Sequence, residues 1–171
     1  MRFSPAALAL SVTLALVSSV SFAKTPLAPP SARAQALINK GAAEQAKGEY
    51  DVAYDYYESA LISDPMSVNA YIAMAQIAEA QGLPGKAIRL YSKALTLDAN
   101  NPYALAGQGR AFVAKGAMDR AKGNKAKLEL TCASPCTIAE SLDKAIAVGP
   151  PAPKAISVEA VTPKAEVAPA E

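Results

Sequence analysis

The chain's only two cysteines, Cys132 and Cys136, fall close together in the run TCASPCT, and such a pair invites three chemistries. In an oxidising compartment the thiols form a structural disulfide. As a redox pair they would exchange electrons through a mixed disulfide, and as thiolates they would bind a soft metal. The usual redox pair is C-x-x-C at a helix start beside a parallel sheet; here the spacing is one residue longer and the surroundings read as helical. A metal would need further ligands, and histidine is absent from the whole chain. The spacing therefore favours a structural bridge, worth no more than about 2 kcal/mol because it closes so short a loop. Thiol-disulfide exchange is the alternative.

The missing histidine also removes Ser-His-Asp and Cys-His nucleophile systems, His-ligated zinc, c-type haem attachment and imidazole pH switching. No carboxylate pair, phosphate-binding glycine loop or nucleophile beside a base stands out, so the sequence predicts neither catalysis nor a cofactor. Tyr50, Tyr54, Tyr56, Tyr57, Tyr71 and Tyr91 are better placed for packing between helices than for a ligand site. A net charge of +2, from 17 basic and 15 acidic groups, gives no strong pull toward nucleic acid or an anionic membrane.

The elements that must position these residues are helices. Of 171 residues 39 are alanine, tryptophan is absent and there are 13 prolines, a composition suited to closely packed helices and not to a β-sandwich or barrel. Residues 1–23 carry one charge at Arg2, an uncharged stretch centred on Ala6 to Val17, and small residues Ser21 and Ala23 at the cleavage positions of a secretory signal peptide. A retained membrane helix is the competing reading, but Ser11, Thr13, Ser18 and Ser19 interrupt the stretch, and a span needs about 20 apolar residues. The mature chain is expected to start at Lys24, to have no membrane span, and to reside in a bacterial periplasm or outside the cell. Prolines then bound a linker over 24–32, a helical domain over 33–149, and a tail over 150–171 without helical periodicity or large apolar clusters.

Within the domain the chain repeats every 34 residues. The shift aligns Gly48, Gly82 and Gly116, and also Ala53, Ala87 and Ala121; the first two copies share Tyr57 with Tyr91, Ala60 with Ala94, Leu61 with Leu95 and Asp64 with Asp98. Such a period signals stacked helix pairs. Helices are predicted over 33–47, 50–63, 68–81, 84–97, 102–115, 117–130 and 135–148, the last opened by Ser134 as N-cap with Pro135 behind it and closed by Gly149.

These residues resemble the tetratricopeptide repeat. The family's small, glycine, alanine, aromatic, alanine and proline positions fall on Gly41, Gly48, Ala53, Tyr57, Ala60 and Pro65, then on Ala75, Gly82, Ala87, Tyr91 and Ala94. In a third unit they fall on Gly109, Gly116 and Ala121, with Lys125 in place of the aromatic and Leu128 in place of the alanine. The resemblance implies an all-α fold, a short right-handed α-solenoid of about three helix pairs with a C-terminal capping helix. It also implies a non-enzymatic module binding a peptide or protein along the concave face of the first helices. Groove positions carried over are Gln35, Ile38, Asn39, Asn69, Ile72, Gln76, Tyr103 and Arg110, with the amides suited to an extended backbone and Arg110 to a carboxylate. The family's carboxylate clamp uses lysines and asparagines where this chain has Ile38, Ala42 and Ala73, so capture of chaperone C-termini is not expected. Charge is also unequal. Residues 34–67 carry six acids and two bases, while 102–130 carry six bases and two acids, including Lys122, Lys125 and Lys127. This separation would orient a partner. Besides thiol-disulfide exchange, the other alternative function is an assembly subunit that mainly self-associates.

Overall fold

The computed structural model describes residues 31–132 and 136–151. Residues 1–30 and 152–171, which take in the expected signal peptide, most of the expected linker and nearly all of the expected tail, lie outside the described residues. Seven helices follow one another: α1 (Ala32–Ala46), α2 (Tyr50–Ser63), α3 (Val68–Ala80), α4 (Pro84–Leu97), α5 (Pro102–Ala114), α6 (Met118–Thr131) and α7 (Thr137–Val148), with no strand among the described residues. They pair as α1 with α2, α3 with α4 and α5 with α6. The pairs stack so that the first helices α1, α3 and α5 touch in succession, and α7 lies across α5 and α6. The all-α repeat architecture is the expected one.

Local chemistry fixes the helix starts. The Ser31 hydroxyl accepts the Ala34 amide at 3.1 Å, and Asn101 Oδ1 accepts the amides of Tyr103 and Ala104 at 3.1 Å each. Pro84 and Pro102 occupy first-turn positions, where a missing N–H costs nothing. The last helix differs from expectation. It begins at Thr137 with Cys136 as its N-cap residue; the expected N-cap Ser134 and first-turn Pro135 lie outside the described residues. Cys132 is the C-cap residue of α6 and Cys136 the N-cap residue of α7.

The three periodic glycines close the turn inside each pair. Gly48, Gly82 and Gly116 have φ of 84°, 69° and 75°, the left-handed region that side chains with a Cβ resist, although nothing would touch that Cβ. Their role is conformational. Gly41 is required for space instead, because a Cβ there would sit 2.6 Å from Cε1 of Tyr57. Ala53, Ala87 and Ala121 are fully buried, as are Ala60 and Ala94, which brings the helices of each pair close. Tyr57 and Tyr91, 1% and 0% exposed, are the largest side chains in this interior.

Two alanine substitutions separate these glycine roles. Gly82→Ala must adopt a strained φ and is expected to lower stability by about 1–2 kcal/mol. Gly123→Ala, inside α6 with open space around its Cβ and no positive φ, is expected to raise it by up to about 1 kcal/mol. Urea unfolding of both variants reads the two signs, and equal shifts would contradict the assignment.

Candidate functional site

The first helices present the face to which sequence reasoning assigned binding. Between the first two units this face opens into a hollow of about 430 Å³ lined by Ile38, Ala42, Gln45, Ala46, Tyr57, Ala73 and Gln76. The walls are mainly aliphatic, and the polar edge is two amides. One of them is committed: Gln45 Oε1 accepts the Tyr57 hydroxyl at 2.8 Å. Gln76 is exposed, with its amide free to meet an incoming backbone.

The other expected groove residues are not gathered there. Asn39 is exposed and accepts from Gln35 Nε2 at 3.0 Å, a contact one turn apart on α1. Asn69 is exposed on α3, and Tyr103, 59% exposed, projects from the first turn of α5. Ile72 is a correction: only 7% exposed, it packs in the core with Val68, Ala75 and Tyr91, because on α3 the apolar stripe that faces α4 runs through it.

Arg110 is engaged within the chain. Its Nη2 donates to Glu79 Oε2 at 3.0 Å and its Nη1 to Ser141 Oγ at 3.2 Å, so it ties α5 to α3 and to α7. The same Glu79 oxygen accepts the Tyr91 hydroxyl at 2.5 Å. Sequence reasoning missed Glu79 and Gln45, although their 34-residue spacing, matching that of Tyr57 and Tyr91, was available as a signal. Burial, reinforced by the Glu79 charge, pushes the Tyr91 phenol well above its ordinary range, and burial pushes Tyr57 up as well.

Two further assignments are refined. Lys125 Nζ lies 2.7 Å from Asp143 Oδ1 on α7 and 3.5 Å from Glu129 Oε1, so one member of the expected basic stripe is an inter-helix tie; these carboxylates raise its pKa. Lys122 and Lys127 are exposed. The sulfurs of Cys132 and Cys136 stand at bonding distance, 2.11 Å, with Cα atoms 5.9 Å apart, packed against Leu105, Leu128 and Ala139. Among the described residues no cluster of three metal-ligating side chains exists, and no helix is long and apolar enough to cross a membrane.

The Tyr91 contact has a measurable consequence. Above about pH 10 the unfolded chain releases the phenolic proton while the folded chain retains it, so stability falls as pH rises toward the raised folded value. In urea unfolding between about pH 9 and about pH 11, Tyr91→Phe is expected to remove about 1.4 kcal/mol in total from the alkaline loss of stability of the parent protein. An unchanged slope would contradict the burial assigned to this hydroxyl.

Comparison with known proteins places this geometry. The tetratricopeptide repeat model matches residues 38–102 and 72–122, together reaching from α1 into α6. A search among curated proteins finds no match. Among solved structures, the Sgt2 tetratricopeptide domain from Aspergillus fumigatus is similar at TM-score 0.64 and 22% identity, covering 70% of this chain and 78% of that one. The first tetratricopeptide domain of Spaghetti (RPAP3) bound to the HSP90 peptide SRMEEVD gives 0.62 at 21% identity, over 68% of this chain and 92% of that one. The Yersinia enterocolitica type III secretion chaperone SycD, in complex with a peptide of the translocator YopD, gives 0.59 at 18% identity, over 67% and 92%. With its repeats matched in sequence and its helix pairs stacked as in these structures, the chain belongs to the tetratricopeptide-repeat family.

Proposed function

We propose that the chain is a non-enzymatic interaction module of the cell envelope, periplasmic or secreted, that holds a peptide or protein segment against its first helices. The observation that carries this reading is the hollow between α1 and α3, with aliphatic walls beneath the exposed Gln76 amide. Such a surface suits an apolar side chain from an extended segment whose backbone bonds to the amide. Two of the similar structures hold peptides, which supports binding as the role of the fold. The aliphatic Ile38, Ala42 and Ala73 in the hollow favour an apolar side chain over a carboxylate at that point.

Photo-crosslinking in the native cell tests the reading. A photoreactive side chain at Gln76 is expected to capture a partner, while the same group at Glu58, exposed on α2, is not. Gln76→Ala should weaken capture by about 0.5–1.5 kcal/mol with unfolding unchanged. Equal capture from both positions would remove the groove as the binding face.

The envelope assignment rests on the signal-like residues 1–23 and on the cysteine pair, which suits an oxidising compartment. Protein recovered from the envelope fraction is expected to have no free thiol before reduction. Replacing both Cys132 and Cys136 by serine should cost no more than about 2 kcal/mol and leave partner capture intact. Should that variant instead lose an electron-transfer activity while still capturing its partner, thiol exchange becomes the function.

A further inference from the structure

The first-helix face has a second hollow, of about 460 Å³, where the C-terminal turns of α5 and α7 meet the residues after α7. Val113 and Ala114 line it from α5, Ala145 and Val148 from α7, and the two polar lining side chains are both cations, Arg110 and Lys144. Among the described residues no acidic side chain lines it. Val148, 86% exposed, is a large aliphatic group left open to water beside this surface. The position of α7 is fixed from below, because a Cβ on Gly109 would lie 2.7 Å from both methyls of Leu142, so the absence of a side chain there lets the two helices approach. Arg110 is also held in place: Glu79 and Ser141 engage one N–H on each terminal nitrogen, while other N–H groups of the guanidinium have no such partner. Glu79 neutralises part of its charge, and Lys144 takes part in no ion pair among the described residues.

We propose that this hollow is a subsite for an acidic, aliphatic segment of a partner protein, with an aliphatic side chain on Val113, Ala145 and Val148 and a neighbouring carboxylate between Lys144 and Arg110. The proposal deepens the binding reading and rests on it. The argument is charge complementarity on an apolar floor. A cationic rim without a lining acid penalises a basic segment and selects an acidic one, while the aliphatic floor requires a side chain that gains by leaving water. A guanidinium already fixed by Glu79 and Ser141 loses little freedom on binding.

The probe is an acetylated, amidated peptide with the core Leu-Glu-Val-Glu between glycine-serine flanks, titrated into the purified protein and followed by amide chemical shifts. The expected result is saturable shifts at Val113, Ala114, Ala145 and Val148, weakened by added salt. A peptide with both glutamates replaced by lysine should bind at least about tenfold more weakly. Val148→Asp and Lys144→Glu, both at exposed positions, should each weaken the acidic peptide about tenfold without altering unfolding. Equal binding of acidic and basic peptides, or shifts confined to other helices, would overturn the proposal. So would shifts at these residues that appear on concentrating the protein alone, which would make a second copy the occupant, or on deleting residues 152–171, which would make it the chain's own tail. Failure here with capture through Gln76 intact removes only this subsite; loss of capture specificity at Gln76 removes the binding reading itself.

Discussion

The stack depends on one repeated contact, an aromatic ring on the second helix of a unit pressed against first helices that have no side chain in its way. Tyr57 meets Gly41 of its own unit and shares a surface with Ala73 of the next, while Tyr91 shares a core with Ala75 and meets Gly107 of the next. Each ring therefore joins a helix pair internally and to its neighbour at once. Removing such a buried aromatic side chain costs about 3–5 kcal/mol, a large share of a small domain's stability. Burying a phenol also requires a partner for its hydroxyl, supplied by the residue twelve positions earlier, Gln45 for Tyr57 and Glu79 for Tyr91.

The third unit lacks this contact, and the C-terminal part of the molecule follows from its absence. Lys125 stands where the aromatic would be and Val113 where its hydrogen-bond partner would be, so no ring projects toward a following unit. The stack is closed by other means. Lys125 reaches Asp143 on α7, Leu142 fills the space over Gly109, and the sulfurs of Cys132 and Cys136 meet where α6 ends and α7 begins. Asn124 donates to Gln108 Oε1 at 2.9 Å and Gln108 to the exposed Ser92 Oγ at 2.8 Å, a polar seam from α6 through α5 to α4 in which both amides are buried. Buried amides without partners would be destabilising, so this seam also fixes how α6 sits on the second unit.

The helices were legible in the sequence because their signals are local and periodic: glycines of positive φ every 34 residues, prolines at helix starts, alanines at the close contacts. Each depends on backbone preference or residue size alone. The start of α7 falls at Thr137, two residues beyond the expected 135, because a local capping signal places a helix end only to within a residue or two. Ile72 was misassigned for a related reason. A position on a first helix can be named from the repeat, but whether its side chain turns to the groove or to α4 depends on the rotation of α3 in the stack. Gln76, whose side chain needed only an exposed turn, lines the hollow between α1 and α3.

Arg110 marks the boundary of what sequence spacing conveys. Its partners Glu79 and Ser141 each lie 31 residues away, a separation that is not the repeat period. Glu79 receives both the core phenol of Tyr91 and the guanidinium facing the groove, so one carboxylate couples packing between units to the charge of the binding face. In the first unit the equivalent residue is Gln45, which can satisfy Tyr57 but brings no charge to hold an arginine. The face is consequently neutral and aliphatic around α1 and α3, and cationic where α5 meets α7. An extended segment lying along the first helices would meet these two environments in a fixed order. The two cations Arg110 and Lys144 at the α5–α7 end, with no counterpart in the hollow between α1 and α3, supply that difference.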